Sequence, residues 1–183
     1  MHVRKAIPFF ACLLAVLPFA SCENDIRRIN AITHVNKELP AERGRDVKIL
    51  YSDSGIKTCE ITASVMQHYM TAKPYVEMPE GVIATFYNAD GGTRSRLTAD
   101  YAVKREQEKL FEARGNVVLI NEKGDRLNSE KLIWDDARQK IHSDQFVKIT
   151  TSDEIIYGQG FESNPSFTRY RIFRIKGTIT LKK

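Results

Sequence analysis

The sequence predicts an all-β domain, a run of antiparallel hairpins, and three observations carry that prediction. The stretch from Leu97 to Ser163 says nearly the same thing twice: Leu97-Thr98-Ala99-Asp100 is answered by Leu127-Asn128-Ser129-Glu130, and Gly115-Asn116-Val117-Val118-Leu119 by Gln145-Phe146-Val147-Lys148-Ile149, each pair thirty positions apart. Short polar breaks separate the segments, at residues 104–109, 122–125, 135–140 and 151–154, and they punctuate the chain as turns do. Between the breaks, apolar side chains fall on alternate positions, the period of a strand. A hairpin cannot bury its apolar face alone, so such units stack on each other or curl over something.

The first residues stand apart from this pattern. His2, Arg4 and Lys5 make a weakly basic start, Ala6 to Phe19 is an apolar run broken by Pro8 and Pro18, and Phe19-Ala20-Ser21-Cys22 ends it with small residues before a cysteine. That is the layout of a secretory signal, and the run is shorter than the ~20 apolar residues a bilayer-spanning helix needs. The ending resembles a bacterial lipobox, which implies cleavage before Cys22 and diacylation of its thiol; the alternative is an uncleaved N-terminal anchor. On either reading the domain lies outside the cytoplasm. Residues 1–21 are thus expected to be a lipoprotein signal peptide, 22–46 a membrane tether and 47–183 the β domain.

Cysteine usage agrees. Of three cysteines, Cys12 leaves with the signal and Cys22 carries lipid, so Cys59 has no partner and no disulfide framework is available. Burial and backbone ladders must hold the fold, and 183 residues at 42% hydrophobic content suffice for one domain with a core. Without Arg4 and Lys5 the chain keeps 26 basic against 23 acidic residues. That mild excess is far from the concentrated basic stripe of a nucleic-acid binder, and no nucleic-acid partner is expected.

Glu23 to Asp46 is polar, with Pro40 and Gly44 near its end, and reads as the tether. The domain then opens with a hairpin, Val47–Tyr51 and Ile56–Ala63 around the turn Ser52-Asp53-Ser54-Gly55. Ile61-Thr62-Ala63-Ser64 echoes Leu97-Thr98-Ala99-Asp100, so a degenerate third copy of the unit starts here. Pro74 and Pro79 argue against a central strand across Lys73–Gly81 and are expected to steer the chain over an open edge before Val82 to Asn88 resumes as a strand. Parity in Leu110 to Ile120 puts Phe111, Ala113, Val117 and Leu119 inside and Glu112, Arg114 and Asn116 outside; in the echo Val147 and Ile149 face in. Gly115, and Gly158 with Gly160 later, permit the bends that a sheet curling into a jelly roll needs. The last strand, from Tyr170, interleaves Arg171, Arg174 and Lys176 with apolar residues, which suits a sheet edge.

Taken as an ordered series, Leu97-Thr98-Ala99-Asp100, Gly115–Leu119, Leu127–Asp135, Ser143–Ile149 and Ile156–Ser163 resemble the OstA-type repeat of lipopolysaccharide export proteins. With Ser52-Asp53-Ser54-Gly55 at the start and Pro74-Tyr75 and Met78-Pro79-Glu80-Gly81 before the next strand, the chain is most similar to the LptC family, in its Bacteroidetes-type lipoprotein form. The resemblance covers roughly residues 47–181 and implies an antiparallel open jelly roll, a V-shaped curled sheet. It implies a non-enzymatic protein of the periplasm, anchored to the inner membrane. Such a protein receives lipopolysaccharide from an ABC transporter of the LptB/LptF/LptG type and passes it to an LptA-like bridge by pairing of sheet edges. On this view Phe111, Ala113, Val117, Leu119, Val147, Ile149 and Phe161 line a lipid groove, although the residues by themselves favour a dry core and only the resemblance favours the groove. Trp134 is either a rim aromatic or a packing residue.

Enzymatic readings find little. His34, His68 and His142 are scattered without metal-ligand spacing, and no cofactor is expected. Ser52-Asp53-Ser54-Gly55 lacks the flanking glycine of a nucleophile elbow. Asp100, Asp135, Asp136 and Asp144 offer carboxylates for a glycan-cleaving or carbohydrate-binding jelly roll, the alternative function, but each sits in or beside a polar break, where turn chemistry already accounts for it.

Overall fold

The computed structural model describes residues 39–180, so the signal segment, most of the tether and Cys22 lie outside the described residues. Eleven strands follow in order: β1 (Glu42–Asp53), β2 (Ile56–Tyr69), β3 (Tyr75–Met78), β4 (Val82–Tyr87), β5 (Thr93–Ala99), β6 (Tyr101–Arg105), β7 (Leu110–Asn121), β8 (Arg126–Asp135), β9 (Lys140–Thr150), β10 (Glu154–Ser163) and β11 (Tyr170–Thr180). They form one antiparallel sheet. The fold is all-β, as the alternation predicts.

Local chemistry sets the turns. Ser54 and Gly55, at φ 50° and 80°, give β1–β2 the two-residue turn whose twist matches the flanking strands. The thirty-residue repeat reappears as geometry. Lys109 and Gln139 both take positive φ, 52° and 53°, and their amides bond back to Glu106 O at 3.2 Å and Asp136 O at 3.4 Å. The same four-residue turn is used twice.

The order of pairing shows how the sheet bends. On its free side β2 meets β4 through Cys59–Ala63 and β3 through Gln67–Tyr69; β7 likewise meets β5 with one half and β6 with the other. The ribbon therefore has two arms, one containing β4 and β5, the other β3 and β6, and the long strands run through both. A crease separates the arms. It passes Asp46 and Gly81, Asp100 at the β5–β6 junction, Gly115-Asn116 on β7, and Gly160 on β10, and four of these take positive φ besides Asn116 itself: 49°, 89°, 72° and 83° for Asp46, Gly81, Gly115 and Gly160. Register shifts lie on the same line, at Arg114/Val117, Ser129/Ile133 and Gln159/Phe161. Bulges bend a sheet and increase its twist.

The crease explains the repeated motif. Its third position is small and buried, Ala63, Ala99 and Ser129, where the two arms come together. Where the ladder breaks, buried serines replace the lost bonds: Ser129 Oγ donates to Phe146 O (3.0 Å) and Ser143 Oγ to Lys131 O (2.6 Å).

Three expectations need correction. The first strand starts five residues before Val47, since β1 begins at Glu42; Gly44 and the left-handed Asp46 interrupt the alternation that marks a strand in sequence. Tyr75–Met78 is a strand paired on both sides, to β2 and β6, since Pro74 and Pro79 flank it and take no ladder position. Glu112 points outward as parity requires, yet it is buried, under Arg105 and Arg114.

Candidate functional site

The inner faces of the two arms meet in one apolar cluster that runs from Cys59 and Ile61 on β2 to Phe161 on β10. Besides that apolar packing, specific side-chain contacts among the described residues join the arms at successive points along the interior. Nearest β1, Lys104 Nζ donates to Tyr51 Oη at 3.2 Å and lies 5.0 Å from that ring's centre. In the middle, Phe86 and Trp134 meet edge to face at 5.1 Å. Beside β10, Asn121 Nδ2 donates to Phe167 O at 2.9 Å.

Between the first two contacts the arms do not close. A cavity of about 420 Å³ lies there, walled by Cys59 and Ile61 from one arm and by Leu110, Phe111 and Trp134 from the other, with Tyr51 and Lys104 above it. Thr58, Glu106, Lys109 and Asp136 form the rest of its lining. That volume lies within the roughly 300–1,000 Å³ of small-molecule sites, and the plan is theirs: an apolar wall with a few polar groups at one end. Burial pushes the Cys59 thiol up to about 11, which the cationic Arg94 and Lys104 oppose without reversing. The indole N–H of Trp134 is buried without a hydrogen-bond partner among the described residues.

The seven groove candidates from sequence divide unequally. All are buried and face the interior. Phe111 borders the slot. Ala113, Val117, Leu119, Val147, Ile149 and Phe161 pack against one another in the interior beyond it. Parity finds the inward residues but cannot separate a wall from a filled core, because both demand the same apolar side chains. Trp134 does both jobs that the sequence left open, packing on Phe86 and bordering the slot. Sequence reasoning missed Tyr51, Cys59, Ile61, Lys104 and Leu110; Val47–Tyr51 and Ile56–Ala63 show the right parity, but nothing local says that they face Leu110 and Phe111.

Of the carboxylates proposed for glycan cleavage, Asp136 borders the slot, where its Oδ1 accepts from Gln139 Nε2 at 2.9 Å as part of the turn, and the other three are engaged elsewhere. Asp100 Oδ2 accepts from Asn116 Nδ2 at 2.6 Å. A bond from the backbone N–H of Arg138, supported by its guanidinium, holds Asp135 below its ordinary range, and Lys131 does the same to Asp144. A general acid needs the opposite shift.

Both outer strands end the sheet with one unpaired side among the described residues, β1 at one end and β11 at the other. The β11 edge exposes Phe173 and Ile175 by more than half, together with Ile179, between Arg171, Arg174 and Lys176. A long apolar edge of this kind is a template for another strand.

Comparison with known proteins agrees with this architecture. No curated protein matches the chain. A family model described as lipopolysaccharide-assembly, LptC-related, matches residues 28–177. That family serves lipopolysaccharide transport at the periplasmic side of the inner membrane and is not a family of enzymes. A match over most of the length, on an antiparallel curled sheet with two open edges, places the chain in the LptC-related family of lipopolysaccharide assembly.

Proposed function

We propose that the chain is anchored to the inner membrane by lipid on Cys22 and receives lipopolysaccharide from an LptB/LptF/LptG-type ABC transporter. It shields the acyl chains between its arms and passes them to an LptA-like bridge that pairs with a sheet edge. The observation that carries this reading is the slot of about 420 Å³ between the arms, with its apolar walls at Ile61, Leu110, Phe111 and Trp134. Each methylene taken from water into such walls is worth ~0.8 kcal/mol. Part of one acyl chain therefore suffices for firm binding, while the sugars stay in solvent. Lys104 and Lys109 at the rim suit an anionic headgroup, although Glu106 and Asp136 beside them keep the local charge balanced.

The slot lies toward β1 and the apolar edge lies at β11, so lipid enters on the β1 side and leaves toward a partner on β11. Edge pairing makes the two sheets continuous and sets one apolar interior against the next. Of the seven candidates, Phe111 meets the acyl chain in the slot, and Ala113, Val117, Leu119, Val147, Ile149 and Phe161 line the onward path once the arms part.

Photocrosslinking tests this. A photoreactive residue at Phe111 should be labelled by lipopolysaccharide many times more strongly than one at Lys148, which faces outward. Equal labelling at the two positions would remove the groove.

A further inference from the structure

The interior is open toward β1 and shut toward β11. Phe167, in the connection between β10 and β11, is 0% exposed. Its ring lies 5.8 Å from that of Phe161 and 5.4 Å from that of Tyr170. A phenylalanine at φ 50° does not follow its own preference; burial of the ring and the Asn121 bond hold it there.

The connection is braced by its own atoms. Asn164 Oδ1 accepts the N–H groups of Thr168 and Arg169, both at 3.0 Å, and its Nδ2 donates to Thr168 Oγ1 at 2.9 Å. Asn164 N–H bonds Arg169 O at 3.2 Å, and Phe167 N–H bonds Asn164 O at 3.0 Å. All these bonds survive if the bracket swings as a unit about the ends of β10 and β11. What joins it to the opposite arm is different in kind: the hydrogen bond from Asn121, while the ring, packed beside Phe161 and Tyr170, is sunk in the core the two arms share. Asn121 is itself fixed, because its Oδ1 accepts from Lys123 and Asp125 N–H at 3.0 Å each.

We infer that Asn121 and Phe167 form a releasable latch that closes the interior at its β11 end, leaving the slot blind in the unloaded protein. An acyl chain that fills the interior replaces the ring's contacts in kind, and the loop bracket carries Phe167 out of the way. Release then opens a continuous path from the slot to the β11 edge. The latch rests on the lipopolysaccharide reading above and adds to it a closed state that the ligand itself opens.

Nuclear magnetic resonance of the ¹⁵N-labelled full-length chain, titrated with rough-type lipopolysaccharide, separates the two ideas. Trp134 is the one tryptophan, so its indole N–H reports the slot, and the side-chain amide of Asn121 reports the latch. Both signals should move at saturation. Movement of Trp134 with Asn121 unchanged would overturn the latch and leave the groove; if Trp134 stays still as well, the groove reading falls and the latch with it. In a second arm, Phe167→Ala removes the ring while Asn164 keeps the bracket. Labelling by lipopolysaccharide of a photoreactive residue at Ile172, which packs beside the core at this end, should rise severalfold while labelling at Phe111 is unchanged. Labelling at Ile172 that is the same with and without the ring would overturn the latch.

Discussion

Asn116 Nδ2 donates a 2.6 Å hydrogen bond to Asp100 Oδ2, tying the acid that ends one copy of the repeat to the residue that bends the next strand. The backbone supports the same junction, since Asp100 N–H bonds Gly115 O at 3.0 Å and Gly81 N–H bonds Asp100 O at 2.7 Å. Asn116 does two things here: it makes the bond, and it tolerates φ 46°. Asn116→Gly removes the first and keeps the second, whereas Asn116→Ala removes both. Urea unfolding should show a loss of about 1–2 kcal/mol for the alanine variant and clearly less for glycine. Equal losses would mean that the backbone conformation is not what asparagine supplies.

Glu112 makes stability depend on acid. The residue is 7% exposed, and it accepts from Arg105 Nη1 at 2.9 Å and from Arg114 Nε at 2.6 Å. Burial raises its proton affinity, but the bonds from the two arginines outweigh burial and hold the carboxyl below its ordinary value of 4.5. A folded-state value below the unfolded one stabilises the protein at and above the ordinary value, and the contribution disappears as pH falls through the lowered one. Glu112→Gln should cost about 1 kcal/mol at neutral pH, both arginines being partly in solvent. The difference from the parent chain should shrink to nothing in acid. A difference that persists there would assign the effect to packing.

Much of this was legible beforehand because strands announce themselves by parity. Phe111, Ala113, Val117 and Leu119 face in as the alternation requires, and the polar breaks became turns, those at 104–109 and 135–140 of one repeated geometry. Misreadings arose where local and long-range rules separate. Tyr75–Met78 is too short to show alternation between its prolines, and its pairing with β2 and β6 is settled by residues far away in the chain. Glu112 was placed on the correct face, but its burial comes from two arginine side chains folding over it, which parity does not register. The slot was the least legible feature: Ile61 and Leu110 read as ordinary core residues, and only the fold shows that the space between them stays open near β1 and is filled by Phe161 and Phe167 near β11.

Gly158 fixes how closely β11 lies on β10. A Cβ there would meet Arg174 O at 2.8 Å and run into the Cγ2 methyl of Ile172. Because Gly158 pairs with Ile175 on one side and Val147 on the other, the strand cannot shift away from one neighbour without crowding the other. Gly158→Ala should cost about 1–3 kcal/mol, as overpacking does, and should speed hydrogen exchange of the β11 amides that bond to β10 more than those of β7 or β8. Uniform acceleration through the sheet would show that the side chain disturbs the core and not the edge. If β11 is the docking edge, the same variant should bind an LptA-like partner more weakly while still taking lipopolysaccharide.

Cys59 gives a chemical reading of the slot from the unmodified chain. The thiol is 6% exposed and borders the cavity. Burial, the largest influence on it, pushes its pKa up to about 11, with Arg94 and Lys104 pulling the other way. Alkylation proceeds through the thiolate, so at neutral pH a small fraction reacts, and the rate on the Cys59 peptide should climb about tenfold per pH unit well past the point where an ordinary thiol levels off. A plateau below pH 9 would mean that the site is wetter, or the cations closer, than the structure shows. Lipopolysaccharide in the slot covers Cys59 together with Ile61 and Phe111, and it should slow alkylation severalfold at every pH while leaving the steepness unchanged, because access falls and the thiol's ionisation does not. Lipopolysaccharide that binds the chain yet leaves this rate untouched has its acyl chains on some other surface.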